Sequence, residues 1–138
     1  MRVRVFLALL AALFAFGGFG VSASAQSGVN LTGEWRGVYY GGGGPTTEFE
    51  AELTQTGRSL TGTIIERPGS PEAGYHWLLS RLSGSVSGGE VTFTKTYTES
   101  GAGWTHTVNY VGSVNNGGRR IRGAWRVGAS QGQFEMVR

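Results

Sequence analysis

Leu31-Thr32-Gly33-Glu34-Trp35-Arg36-Gly37-Val38-Tyr39 states one phrase twice, apolar–x–Gly–x–apolar, with Trp35 shared between the copies. The phrase returns as Leu60-Thr61-Gly62-Thr63-Ile64, Leu82-Ser83-Gly84-Ser85-Val86, Tyr110-Val111-Gly112-Ser113-Val114 and Ile121-Arg122-Gly123-Ala124-Trp125. Its internal period is two, the side-chain period of a strand, so each glycine shares a face with its two apolar neighbours. The residues between are mostly Ser, Thr, Arg or Glu, which suit a wetted face. A glycine between large residues on the inner face leaves space for close approach and eases strand bending. The pattern predicts a small closed barrel with a tight interior.

Turn signals at regular spacing divide the rest of the chain into eight strand-like runs, near 33–40, 47–56, 59–66, 77–86, 90–98, 105–114, 119–127 and 132–138. Phe49, Ala51 and Leu53 alternate with Glu48, Glu50 and Glu52; Val91, Phe93 and Tyr97 alternate with threonines. No stretch after residue 26 keeps a helical period. An all-β, eight-stranded antiparallel up-and-down β-barrel is the simplest arrangement that removes every exposed edge.

In such a meander, successive connections alternate between the two ends. Gly57-Arg58, Ser87-Gly88-Gly89 and Asn115-Asn116-Gly117-Gly118 fall at one end and read as tight turns. Gly41 to Thr46, Arg67 to His76, Glu99 to Trp104 and Gly128 to Gln131 fall at the other, and this end is expected to form a mouth. Tyr39, Tyr75, His76, Trp77, Tyr97, Trp104, His106, Trp125 and Phe134 lie near it; Leu60, Val86, Val91, Val114 and Ile121 lie near the closed end. Aromatic residues with polar tips at an open end suit a ligand pocket. They equally suit a barrel that merely fills its lumen with rings.

Residues 1–25 stand apart. Arg2 and Arg4 precede the apolar run Val5 to Phe16, and Ala23-Ser24-Ala25 supplies a small-x-small cleavage site, the pattern of a secretory signal peptide. The expectation is an exported protein, periplasmic or secreted, cleaved between Ala25 and Gln26, with residues 26–138 forming a single β-barrel domain. No later segment approaches the roughly 20 apolar residues of a membrane-spanning helix. Without Arg2 and Arg4, ten basic side chains face nine acidic ones, so charge balance alone asks for neither nucleic acid nor anionic lipid as a partner. The chain has no Cys, so the fold stands on its core without disulfides.

Chemistry is sparsely represented. With no Cys and no Asp there is neither a thiol nor a Ser-His-Asp triad, although Glu can take the place of Asp. His76 and His106, the only histidines, could join Glu66 or Glu99 around a metal or act as acid and base; two histidines at unrelated spacing favour solvated side chains, and no metal or cofactor is expected. Glu66 and Lys95 are more informative, because alternation points both inward, where a charge is costly unless paired or hydrated. A pair across the lumen, a hydrated mouth and contact with a polar ligand all satisfy that constraint. Arg119, Arg120, Arg122 and Arg126 form an outward basic stripe, joined by Arg36, with Glu135 between them; Glu48, Glu50 and Glu52 form an opposing stripe. Cross-strand ion pairs are the expected use, and a self-complementary contact between copies is compatible with them. Asn30-Leu31-Thr32 also fits a glycosylation acceptor.

Gly33-Glu34-Trp35 at the start of eight short strands, with Arg138 at the end, resembles the calycin superfamily of lipocalins, fatty-acid-binding proteins and avidins. The resemblance implies a structural floor of Gly33, Trp35 and Arg138, with the basic residue packed across the indole. Leu31 to Trp35, Leu60 to Thr63 and Thr107-Val108-Asn109-Tyr110 are similar to avidin segments. Biotin recognition does not follow. Gly37 stands where avidins place an Asn, and Ile64 and Glu66 stand where they use a Tyr and a hydroxyl residue. Exported metalloprotease inhibitors have a similar barrel and act through an N-terminal arm, here Gln26 to Asn30, but usually carry a disulfide.

Together these readings favour an exported, non-enzymatic, lipocalin-like barrel that binds a small, partly apolar or aromatic ligand at its mouth. The residues expected to line that mouth are Tyr39, Glu66, Tyr75, His76, Trp77, Lys95, Tyr97, Trp104, His106 and Trp125. One alternative is a filled barrel acting through its outer surface as a protein-interaction or protease-inhibitor-like envelope module. Another is a small barrel enzyme using His106 and Glu66.

Overall fold

A computed structural model describes residues 28–67, 78–100 and 106–138. Eight strands run β1 (Gly33–Gly41), β2 (Gly44–Thr56), β3 (Ser59–Arg67), β4 (Leu78–Ser87), β5 (Glu90–Ser100), β6 (Thr107–Asn115), β7 (Arg120–Val127) and β8 (Ser130–Val137). Each pairs antiparallel with its neighbour in sequence, and β8 returns to β1, Arg36 opposite Val137 and Tyr39 opposite Phe134. The barrel is therefore closed in up-and-down order, with no free edge. Among the described residues the only helical turn is a 3-10 segment at Asn116–Gly118, and no helix is long and apolar enough to cross a membrane. The expected signal peptide, residues 1–25, lies outside the described residues, as do Tyr75, His76, Trp77 and Trp104.

Binary patterning accounts for which face is inside. On β2, Phe49, Ala51 and Leu53 are buried while Glu48, Glu50 and Glu52 are exposed. On β5, Val91, Phe93, Lys95 and Tyr97 are buried. The repeated glycines sit on the same inner face. A Cβ at Gly37 would collide with the Phe49 ring, and one at Gly112 would come 2.9 Å from the tip of Phe134. The phrase is thus a packing device: the missing side chain admits a ring at Gly37 and Gly112, and close approach of the neighbouring backbone at Gly62, Gly84 and Gly123.

Two connections are shorter than the turn signals suggest. β1 extends to Gly41 and β2 begins at Gly44, so the expected loop 41–46 shrinks to a turn at Gly42-Gly43. Likewise β7 and β8 are separated only by Gly128 and Ala129. Glycines and threonines that read as loop residues are recruited into the ladders because pairing satisfies backbone groups that a loop would leave to water. The two connections at this end that the structure describes are therefore two-residue turns. Phe134 stands opposite Tyr39 across the β1–β8 seam, its ring edge-on to Tyr110 at 5.1 Å between centroids.

The closed end is built around Trp35, 1 % exposed. Its indole N–H donates to the Leu31 carbonyl at 2.9 Å, and the Arg138 guanidinium lies over its ring. Leu31, also buried, is held by Gln55, whose side-chain oxygen accepts the Leu31 N–H. Asn30 accepts the Thr32 N–H, closing a local turn. Val29 packs against the core beside Gly118. Residues 29–31 are thus bound to the floor, while Gln26 and Ser27, the start of the expected arm, lie outside the described residues.

On the outer wall, Glu135 pairs with Arg122 at 3.0 Å and Arg120 at 3.4 Å. These cross-strand pairs are solvated and contribute at most about 1 kcal/mol each.

Candidate functional site

The mouth half of the lumen is a polar layer laid over an aromatic one. β5 rises toward the mouth, so Phe93, Lys95 and Tyr97 climb its inner face in order; β3 delivers Glu66, and β1 delivers Tyr39, at the same end. Below, Phe93 stacks on Tyr110 at 4.6 Å between ring centroids, and Phe134 meets both edge-on. This ring cluster fills the middle of the barrel.

Glu66 and Lys95 are almost wholly buried, 0 % and 1 % exposed, and form a direct ion pair across the lumen. Tyr39 donates its hydroxyl to Glu66 Oε2 at 2.9 Å. Lys95 donates to the Tyr97 hydroxyl at 2.9 Å, and Tyr97 in turn donates to the Glu66 carboxylate, 3.2 Å from Oε2. The Lys95 ammonium also lies 4.9, 4.7 and 5.7 Å from the ring centroids of Tyr39, Tyr97 and Tyr110. The ring quadrupoles offset part of what a cation in that position loses in hydration.

Electrostatics follow from this enclosure. Burial and then the Glu66 carboxylate push the Tyr39, Tyr97 and Tyr110 phenols well above their ordinary range. Burial pulls Lys95 below its ordinary value, and Glu66 opposes that shift. Glu66 takes three donors, from Lys95, Tyr39 and Tyr97, so its carboxylate is already engaged as an acceptor.

Trp125 roofs the layer. Its indole N–H donates to the Tyr40 carbonyl at 3.1 Å, and its ring meets Tyr39 edge-on, with centroids 6.1 Å apart. It lies so close over Gly132 that a Cβ there would sit 2.6 Å from the indole. His106 is exposed and meets the Tyr97 ring edge-on at 4.9 Å. Both register shifts in the barrel fall toward this end, one between Tyr39 and Gly41 and one between Leu79 and Ser80. Bulges at a barrel rim re-aim side chains, here beside Tyr39 and Tyr97.

Ser80 completes the layer. It is 0 % exposed, stands opposite Tyr97 on β5 and Ile64 on β3, and its hydroxyl has no hydrogen-bond partner among the described residues. Alternation on β4 contained the signal, because Ser80 shares the inner face with Leu78 and Leu82, where an apolar residue is the default. Thr47, buried beside the Tyr39 phenol, whose upward shift it opposes, likewise escaped the sequence reading. Of the ten expected mouth residues, Tyr39, Glu66, Lys95 and Tyr97 converge directly, Trp125 and His106 adjoin them, and the other four lie outside the described residues.

The layer binds its own charges internally. Among the described residues no three His, Cys, Asp or Glu side chains gather as a metal site. Compared with protein families, with curated proteins and with solved structures, the chain matches none.

Proposed function

We propose that this barrel is an exported, non-enzymatic binding protein that takes a small, partly apolar ligand at its aromatic mouth. The observation that carries this reading is the Glu66–Lys95 pair, buried with Tyr39 and Tyr97 in the mouth half of the lumen. A buried ion pair stabilises a fold no better than apolar residues of the same volume, so stability alone is a weak reason for one. Burial perturbs the titration of Lys95, Tyr39 and Tyr97, and groups so perturbed concentrate at functional sites. Trp125 and His106, whose rings meet Tyr39 and Tyr97 edge-on, offer ring surface for the body of a ligand. A calycin-like ancestry is part of the proposal. Its supports are the closed eight-stranded meander and the Trp35–Arg138 floor. The leader-like residues 1–25 support export.

The test is a tryptophan fluorescence titration of the purified protein with fatty acids, fatty alcohols and aromatic alcohols. At least one class should shift the emission saturably, and Tyr97→Ala should weaken that binding more than it weakens folding. Unchanged emission and no heat of binding for the whole panel would remove the reading.

A second reading, an outer-wall protein contact, has its own observation. A groove of about 490 Å³ crosses β8, β1, β2 and β3, with Val38, Ile65 and Val137 rimmed by Arg36, Glu50 and Arg67. Apolar residues inside a charged rim suit a protein partner. Loss of a partner on Ile65→Glu, with the mouth variants silent, would favour this reading over the first.

A further inference from the structure

The polar layer has an asymmetry that bears on ligand chemistry. Glu66 and Lys95 are paired one carboxylate to one ammonium, and their hydrogen bonds close on each other and on Tyr39 and Tyr97. A ligand carboxylate or phosphate entering this layer could reach Lys95 only in competition with Glu66. One negative charge would then stay buried without a counter-charge, which strongly opposes binding. A ligand ammonium meets the same obstacle with the signs exchanged, because Lys95 already occupies the carboxylate. Charged head groups are therefore opposed from both directions.

The Ser80 hydroxyl is different. It is buried, it points into the lumen beside Tyr97, and it has both a donor and an acceptor unused among the described residues. A buried polar group without a partner is unfavourable, and a partner in the lumen recovers that loss. An alcohol, ketone or amide oxygen meets that need without disturbing the ion pair. We propose that the mouth site selects ligands with an uncharged hydrogen-bonding head, received by Ser80, on an aromatic or aliphatic body. The Glu66–Lys95 pair acts as a filter against ions rather than as the head-group receptor. This selectivity rests on the ligand-binding reading above.

The experiment uses two matched series, 3-phenylpropan-1-ol with 3-phenylpropanoate and 3-phenylpropylammonium, and decan-1-ol with decanoate and decylammonium. Affinities are measured by calorimetry at pH 7. In at least one series the alcohol should bind ten times or more tighter than either ion. An ion binding as tightly as its alcohol overturns the inference and leaves the ligand site standing; silence from all six probes overturns both. Ser80→Ala, checked for folding by its thermal melt, should weaken the alcohol fivefold or more while leaving the ions unchanged; an unaltered alcohol affinity removes Ser80 from the site. Glu66→Gln leaves Lys95 without its counter-charge and should move the preference toward the carboxylate by tenfold or more. If Glu66→Gln does not fold, the unmodified protein and Ser80→Ala decide the matter.

Discussion

The Arg138 guanidinium lies 4.9 Å from the centroid of the Trp35 ring, joining the last residue of the chain to the first strand of the barrel. The same guanidinium donates to the carbonyls of Gly118, Thr32 and Asn30 at 3.0, 3.0 and 2.8 Å. One side chain therefore ties the incoming segment, the β6–β7 connection and the end of β8 over a single indole. Gly33 permits this: its φ of +139° lies where a side chain is strained.

Trp35→Ala should cost about 3–5 kcal/mol, because a large buried side chain is removed and a cavity remains. Arg138→Ala should cost less. In the double variant the losses should fall short of their sum by about 0.5–2 kcal/mol, the range of a cation–π contact. Urea denaturation of the four proteins measures this; strict additivity would show that the contact carries no energy.

At the other end, Lys95→Met and Glu66→Gln should each cost about 3–5 kcal/mol, because each strands a buried partner. The double variant Lys95→Met/Glu66→Gln should be no worse than the milder single, since no uncompensated charge remains. A double variant that loses the sum of both would show that the two residues act separately.

Ser80→Ala should stabilise the fold by about 1 kcal/mol, since it removes a buried hydroxyl without a described partner at nearly constant volume. A rise in the urea midpoint with unchanged slope would register this. A fall would mean that the hydroxyl is satisfied in solution.

Alkaline pH should unfold the protein through its phenols. Tyr39, Tyr97 and Tyr110 are raised above the ordinary value of 10.0, so their contribution to stability is complete below pH 10 and is lost as pH rises beyond it. Lys95 has the opposite sign. Its depressed value makes stability increase as pH climbs toward 10.5, so it cannot cause a loss above that point. Absorbance at 295 nm should show these three phenols ionising in one cooperative step together with loss of the fold. Gradual ionisation of all three within an intact barrel would contradict their burial.

The period-two phrase and its glycines were enough to specify strands, inner faces and closure, because alternation is a local property that any burial of one face must respect. Inward parity marked Glu66 and Lys95 for the same reason, and the turn spacing assigned Trp35 and Arg138 to one end. What parity cannot express is which inward side chains meet, at what height, and across how many strands. The Glu66 acceptor set draws on β1, β3 and β5, and the Trp125 donor ends on a carbonyl of β1; both depend on closure and stagger of the whole barrel. Ser80 was readable as an inward serine, but its lack of a partner is a property of its surroundings. The turns at Gly42-Gly43 and Gly128-Ala129 were decided by ladder pairing, which offers hydrogen bonds to residues whose own propensity favours a loop. The chain's local chemistry therefore determined which residues face inward, and only the closed tertiary structure decided which of them hold one another.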